Sequence, residues 1–299
     1  MEQEQRESNV WTYELLDWID IEKMELCGLS ENPNAIHFLE KNLEKINWDS
    51  LSENPNAIDL LEKNPEKINW GRLSVNPNAI DLLEKNQEKI NWSWLSSNPN
   101  AIHLLEKNPE KIHWDMVSGN PNAIQLLEKN QDEIFWNELS NNENAIVLIE
   151  EHIGLVDWVC LSRNSNMIPL LEENSDRIDW EYLSLNPNAI HLLEKNQEKI
   201  DWDYLSLNPN ATHLLEKNQE KIDWVWFSSN PNAIHLLEKS PEKINYYWLS
   251  RNPSIFRKTI NYKYLYQRMN VIREELMMKC MHPRRLKRFI EMGGDIDDF

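Results

Sequence analysis

Tryptophan recurs every 22 residues along this chain, at Trp48, Trp70, Trp92, Trp114, Trp136, Trp158, Trp180, Trp202 and Trp224, and Tyr246 takes the tenth place. No insertion or deletion disturbs the spacing. A period this short and this regular means a stack of near-identical units, each too small to bury its own apolar face without its neighbours. A length of 299 residues would otherwise suggest two compact domains; the period overrides that expectation.

With Leu29 as position one, ten complete units run from 29–50 to 227–248, and the consensus reads Leu-Ser-x-Asn-Pro-Asn-Ala-Ile-x-Leu-Leu-Glu-Lys-Asn-x-Glu-Lys-Ile-x-Trp-x-x. An eleventh begins at Leu249 and dissolves after Pro253, while Glu22 to Leu26 fits the second half of a unit. Asn at position four, from Asn32 to Asn252, predicts a helix N-cap with Pro at the first helical position. Ala-Ile-x-Leu-Leu then supplies one apolar helical face. The first such helix is predicted near residues 34–42, closed by Asn42 in the left-handed conformation. Position nineteen, Asn47 or Asp201, predicts the cap of a second, shorter helix with Trp48 or Trp202 at its start.

These signals predict an all-α fold: an α-solenoid of ten two-short-helix repeats, with helical caps at both ends. The expected organisation is an amino-terminal cap with a half-repeat over 1–28, the repeats over 29–252, irregular at 139–182, and a helical cap with a basic helix over 253–299. A leucine-rich repeat shares the period, but it needs a strand where this chain has its Asn-Pro helix start. The nine tryptophans read as structural core, since each can bury ~150–250 Å²; an aromatic ladder that stacks sugars or bases is the alternative.

Differences between units carry the functional information. Position nine holds His191, His213 and His235 in consecutive units, a possible metal row or a solvent-exposed series. Position twenty-two holds Tyr182, Tyr204, Trp226 and Trp248, an aromatic stripe suited either to anchoring a partner or to packing under the carboxy-terminal cap or between neighbouring helices. In units 139–160 and 161–182 the Pro is lost at Glu143 and Ser165, Gly154 enters, and Pro169 is expected to kink or shorten its helix, which reads as a bend in mid-stack or as a specialised binding segment.

Net charge is −19, unevenly spread. Residues 251–299 hold eleven Lys/Arg against six Asp/Glu, a net +5, leaving the body at −24. So acidic a body repels nucleic acid and anionic membrane. Three scattered cysteines, Cys27, Cys160 and Cys280, make neither a disulfide framework nor a zinc motif. The polar Met1–Asn9 segment lacks the apolar core of a secretion signal, and no stretch reaches the ~20 apolar residues of a membrane span. A soluble, intracellular protein is the expectation. The stretch Arg284 to Ile290 predicts a basic amphipathic helix, ended by Gly293 and Gly294, with charge pairing to the acidic body as its first reading.

Asn186-Pro187 with the run 188–196, repeated with Ile-Asp-Trp, resembles the tandem repeats of uncharacterised giant DNA virus proteins. The ending from His282 to Arg288, followed by Gly293-Gly294-Asp295-Ile296-Asp297, is similar to their terminal segment. The resemblance implies a viral product in the host-cell cytoplasm, or in the virion, and brings no activity, cofactor or catalytic residues. The residues themselves show no convergent acid, base or nucleophile group and no Gly-rich phosphate loop. The expected function is therefore a non-enzymatic protein–protein interaction scaffold with a protein partner and no cofactor. A structural component of the particle and an acidic nucleic-acid mimic sequestering a basic protein are the alternatives.

Overall fold

The computed structural model describes residues 10–280 and 282–292. Two units are distinct: a body, Leu15–Phe256, and a second unit drawn from the segments before and after it.

The body is an α-solenoid. Each repeat alternates two short helices, a Trp helix such as Trp48–Glu53 and a Leu helix such as Ile58–Glu62, and in all but one a 3-10 turn such as Pro65–Lys67 leads to the next; Ile146–Glu151 and Trp158–Arg163 are joined without one. The Trp helix starts as its sequence predicts, with Asn47 Oδ1 accepting the Ser50 amide at 3.1 Å. The Asp of later units does the same, as Asp201 does for Tyr204 at 2.9 Å.

The Asn-Pro signal caps a short 3-10 helix as read at Asn208 and Asn252, with Pro209 and Pro253 in the first turn, but works differently in the other units. The side chain of Asn54 accepts the Asn56 amide at 3.0 Å and its carbonyl accepts the Ala57 amide at 3.1 Å, closing a tight turn. The Leu helix begins only at Ile58, with Ala57 in the cap position and no side-chain cap. The helix predicted over 34–42 is therefore Ile36–Leu39. Nor is its closing Asn left-handed: Asn42 has φ −138° and Asn64 φ −134°. Each instead donates its Nδ2 back four residues, Asn64 to the Leu60 carbonyl at 2.8 Å, satisfying an orphan acceptor of the last turn.

Position-four asparagines are freed for another task. Each is almost fully buried, and its Nδ2 donates to two carbonyls of the preceding unit. Asn120 bonds Ser96 O at 3.0 Å and Asn98 O at 2.9 Å, and Asn230 bonds Ser206 O and Asn208 O at 3.0 Å each. Position six adds a second series, as Asn122 Nδ2 bonds Pro99 O at 2.9 Å. Buried carbonyls at helix ends must find donors, and here the next unit supplies them. Around these ladders Leu73, Ala79 and Leu83, with their equivalents, are fully or almost fully buried.

The tryptophans are half-buried rather than part of that innermost core. Each lies at the seam between units, and a cation from the next unit covers six of the nine: Lys89 Nζ stands 4.3 Å from the Trp70 ring centroid and Lys221 4.3 Å from that of Trp202, with the same cover over Trp92, Trp158, Trp180 and Trp224.

The solenoid closes on itself. Asn32 Nδ2 bonds Ser250 O at 3.1 Å and Asn252 O at 2.9 Å, and Asn34 Nδ2 bonds Pro253 O at 2.9 Å, the same contacts every unit makes with the one before it. The unit at the junction is composite. Its first part is Leu249 to Phe256 and its second Asp20 to Gly28, joined by the Glu25 amide donating to Ser250 Oγ at 2.8 Å. The equivalent bond inside a continuous unit runs from the Asn69 amide to Ser52 Oγ at 3.0 Å. Even the cation over the aromatic ring is kept, with Lys23 Nζ 5.4 Å from the Tyr246 centroid. Among the described residues eleven Trp-type helices, from Leu26–Glu31 to Tyr246–Leu249, accompany ten Leu helices. In the composite unit no Leu helix forms, and the chain enters and leaves the body there.

Closure removes the exposed ends that caps were expected to cover. The segment leading into the body is also not helical: Trp11–Leu15 is a strand (β1) paired with Phe256–Ile260 (β2). The bonds from the Leu16 amide to Ile255 O and from the Asn261 amide to Val10 O make the pairing antiparallel. A long helix, Tyr262–Cys280, and a basic helix, Pro283–Glu291, follow. Gly293 to Phe299 and the polar first nine residues lie outside the described residues.

The irregular units keep the ladder. Asn142 bonds Ser118 O and Asn120 O at 3.1 and 2.8 Å, and Asn164 bonds Ser140 O and Asn142 O at 3.0 and 3.2 Å. The kink expected at Pro169 is absent, because the helix starts at Ile168 and Pro169 falls in its first turn, where no amide bond is lost.

Candidate protein-binding surface

In a closed ring, elements nearest the axis stand closest to their neighbours. The Trp helices pack directly on the Trp helices of adjacent units, and Leu26–Glu31 packs on Tyr246–Leu249 across the junction; the Leu helices are more widely spaced. The Trp helices thus form the inner course of the body and the Leu helices the outer one.

Position twenty-two sits on the inner course, in the first turn of the Trp helix, and its amide is the one that the position-nineteen cap accepts. Asp179 holds Tyr182 at 3.0 Å, Asp223 holds Trp226 at 2.9 Å and Asn245 holds Trp248 at 3.2 Å. That common anchorage fixes the spacing of the aromatic stripe. Tyr182 and Tyr204 have ring centroids 5.6 Å apart, and Trp226 and Trp248 4.7 Å apart, both tilted pairs. All four are half-buried, with one face against a neighbour. Neighbouring Tyr182 and partial burial push the Tyr204 hydroxyl above its ordinary pKa.

The stripe ends at the junction. Arg251 lies over Tyr247 at 4.4 Å and Trp248 at 5.6 Å, and its Nε bonds Glu31 at 2.8 Å. Burial, the largest single influence, would lower the Arg251 pKa, but the Glu31 carboxylate together with Cys27 and Tyr247 outweighs it and raises the value. Beyond Arg251, position twenty-two is Gly28, where an added Cβ would lie 2.7 Å from Ser250 Cβ. No side chain fits there.

The histidine row lies on the outer course. His191 bonds Glu172 at 3.0 Å, His213 bonds Glu194 at 3.0 Å and His235 bonds Glu216, each Glu coming from the preceding unit. His103 makes the same link with Glu84 at 2.9 Å. The Nε2 of each ring is committed to its own carboxylate, so the histidines stand as separate clasps between units. Among the described residues no group of three or more His, Cys, Asp or Glu is placed to hold a metal ion, and no helix is long and apolar enough to cross a membrane.

Sequence reasoning missed one substitution of role. His152 replaces the position-fourteen Asn, and its Nδ1 reaches the Leu148 carbonyl at 3.0 Å, the bond that Asn makes elsewhere. Its ring also packs on Trp136, with centroids 4.8 Å apart. The signal was legible as His at an Asn position, four residues beyond the carbonyl it serves. No family model, no curated protein and no solved structure matches the chain.

Proposed function

We propose that the protein is a non-enzymatic binding scaffold, a closed ring whose repeated inner bonding holds a variable surface in fixed geometry for a protein partner. The observation that carries this reading is the aromatic stripe Tyr182, Tyr204, Trp226 and Trp248. These side chains sit at a position where other units carry Ser50, Arg72 or Glu138 without disturbing the ladder, so the ring does not need aromatics there. Half-buried aromatics on rigid backbone match the anchors that dominate protein interfaces. The resemblance to giant-virus repeat proteins supports an infected cell's cytoplasm as the setting.

The test compares partner capture by the intact chain with capture by Tyr204→Ala and Trp226→Ala, each matched for thermal unfolding and circular dichroism. Loss of one partner, with the fold retained, supports the stripe as the anchor. Identical partner sets for folded variants and the intact chain would remove it.

A further inference from the structure

At the junction of the fifth and sixth units several repeat rules fail together while the ladder runs through unbroken. The position-seventeen cation that covers six of the tryptophans becomes Leu155, in register with Trp136. The capping Asn or Asp of position nineteen becomes Phe135, which makes no side-chain cap. Two positions without a consensus residue are apolar here as well, Val147 at position nine and Val159 at position twenty-one. All four are exposed: Phe135 by 53%, Leu155 by 54%, Val147 by 56% and Val159 by 38%. Phe135 directly precedes Trp136, and Leu155 bonds back to the carbonyl of His152, whose ring packs on Trp136. Phe135 and Leu155 therefore flank one stacked pair.

Folding does not account for these changes. An apolar side chain left in water gains no burial energy, and replacing the cap forfeits a hydrogen bond. Units with lysine and a capping Asn at these positions make the same rungs, as Asn76 does to Ser52 O and Asn54 O, so the stack needs no apolar residue there to stay in line. Charge changes in the same place. Residues 130–162 contain seven Asp or Glu and no Lys or Arg, whereas consensus units balance most of their acids with lysines. An exposed apolar patch set in an acidic field selects against nucleic acid and acidic proteins.

We infer that this junction docks a basic amphipathic segment of a partner protein, with large apolar side chains meeting Phe135 and Leu155 and Lys or Arg facing the surrounding carboxylates. The inference rests on the scaffold reading and gives its partner a chemistry.

The test uses the full chain and a variant returned to the repeat consensus at the two positions that have one, Phe135→Asn and Leu155→Lys. The probe is a fluorescein-labelled amphipathic helical peptide of Leu, Phe and Lys, followed by anisotropy. A control peptide carries the same charge, with Ser in place of Leu and Phe. The consensus variant should bind the amphipathic peptide at least about tenfold more weakly, with an unfolding midpoint no lower than that of the parent. The control peptide should bind both proteins weakly. Equal affinity of the amphipathic peptide for both proteins, or equal binding of the two peptides to the parent, would overturn the assignment. So would a concentration-dependent mass in sedimentation that the consensus changes abolish, which would make a second copy the occupant. Should Trp226→Ala lose a captured partner that the consensus variant retains, the junction falls and the scaffold reading stands.

Discussion

Asn32 donates its side-chain amide to the carbonyls of Ser250 and Asn252, 218 and 220 residues further along the chain. Asn120 makes the same pair of bonds to residues only 24 and 22 positions before it, at 3.0 and 2.9 Å. The bonds at the junction, 3.1 and 2.9 Å, match them. A stack that rose even slightly with each unit would bring these residues past one another, so the rise summed over the body is zero.

Asn32→Ala and Asn120→Ala should therefore cost about the same. Each leaves two buried carbonyls without their donor, for ~2–4 kcal/mol in all, given ~1–3 kcal/mol for each unsatisfied buried group and partial rescue by water. Urea denaturation of both variants is the measurement. A much smaller loss for Asn32→Ala would mean that the closing rung is not made in solution.

Gly28→Ala should destabilise the junction. The new Cβ falls 2.7 Å from Ser250 Cβ and within 3.4 Å of Arg251, and overpacking of this kind typically costs ~1–3 kcal/mol. Gly154→Ala provides the contrast, since nothing lies within 4 Å of its Cβ. There the loss of unfolded-state freedom should leave stability unchanged or raise it by ~0.4–1 kcal/mol. Thermal unfolding should rank Gly28→Ala lowest of the three proteins.

Trp202 and Lys221 should be coupled. A double-mutant cycle to alanine should return ~0.5–1 kcal/mol for the cation over the ring. Trp202→Ala alone should cost ~2–3 kcal/mol, below the ~3–5 kcal/mol typical of a fully buried tryptophan, because one part of the ring stays open to solvent. A coupling of zero would reduce the lysine to a bystander.

Cys160 gives a pH dependence with a definite sign. Burial, and then the nearby Asp157 carboxylate, raise its thiol pKa. The unfolded chain thus loses this proton at lower pH than the folded one. The contribution to stability is intact below the ordinary thiol pKa of ~8.5 and falls as pH climbs through and above it. Alkylation of folded protein at pH 8 should be slower at Cys160 than at a cysteine in an unstructured peptide. A faster rate would contradict the burial of the thiol.

The repeat, its two helices and the position-nineteen caps were legible because each rests on a local rule: a period, an apolar face, a side chain three residues before an amide. Position-four Asn was misread for a physical reason. Its carboxamide has both donor and acceptor, and only the acceptor role is visible along the chain; the donor half is spent on a unit 22 residues away. The half-burial of tryptophan was hidden because the covering lysine, nineteen residues later, looks like a solvated charge. Closure was illegible altogether. It depends on the small rotation between neighbours summed around the body, and no single residue type encodes an angle. The aromatic stripe was visible from its spacing; the register of its end at Arg251 and Gly28 required the junction.

A ring built this way has a forbidden arithmetic. Eleven units must share a full circle, so each turns by about 33° relative to the last, a shared value set by rungs such as Asn76 to Asn54. An open stack can gain or lose a repeat and merely change length. Here one duplicated 22-residue block would overshoot, and one deleted block would leave a gap, unless every interface re-angled together. The copy number is thereby locked, and variation is channelled into substitutions on the surface rather than into the number of units.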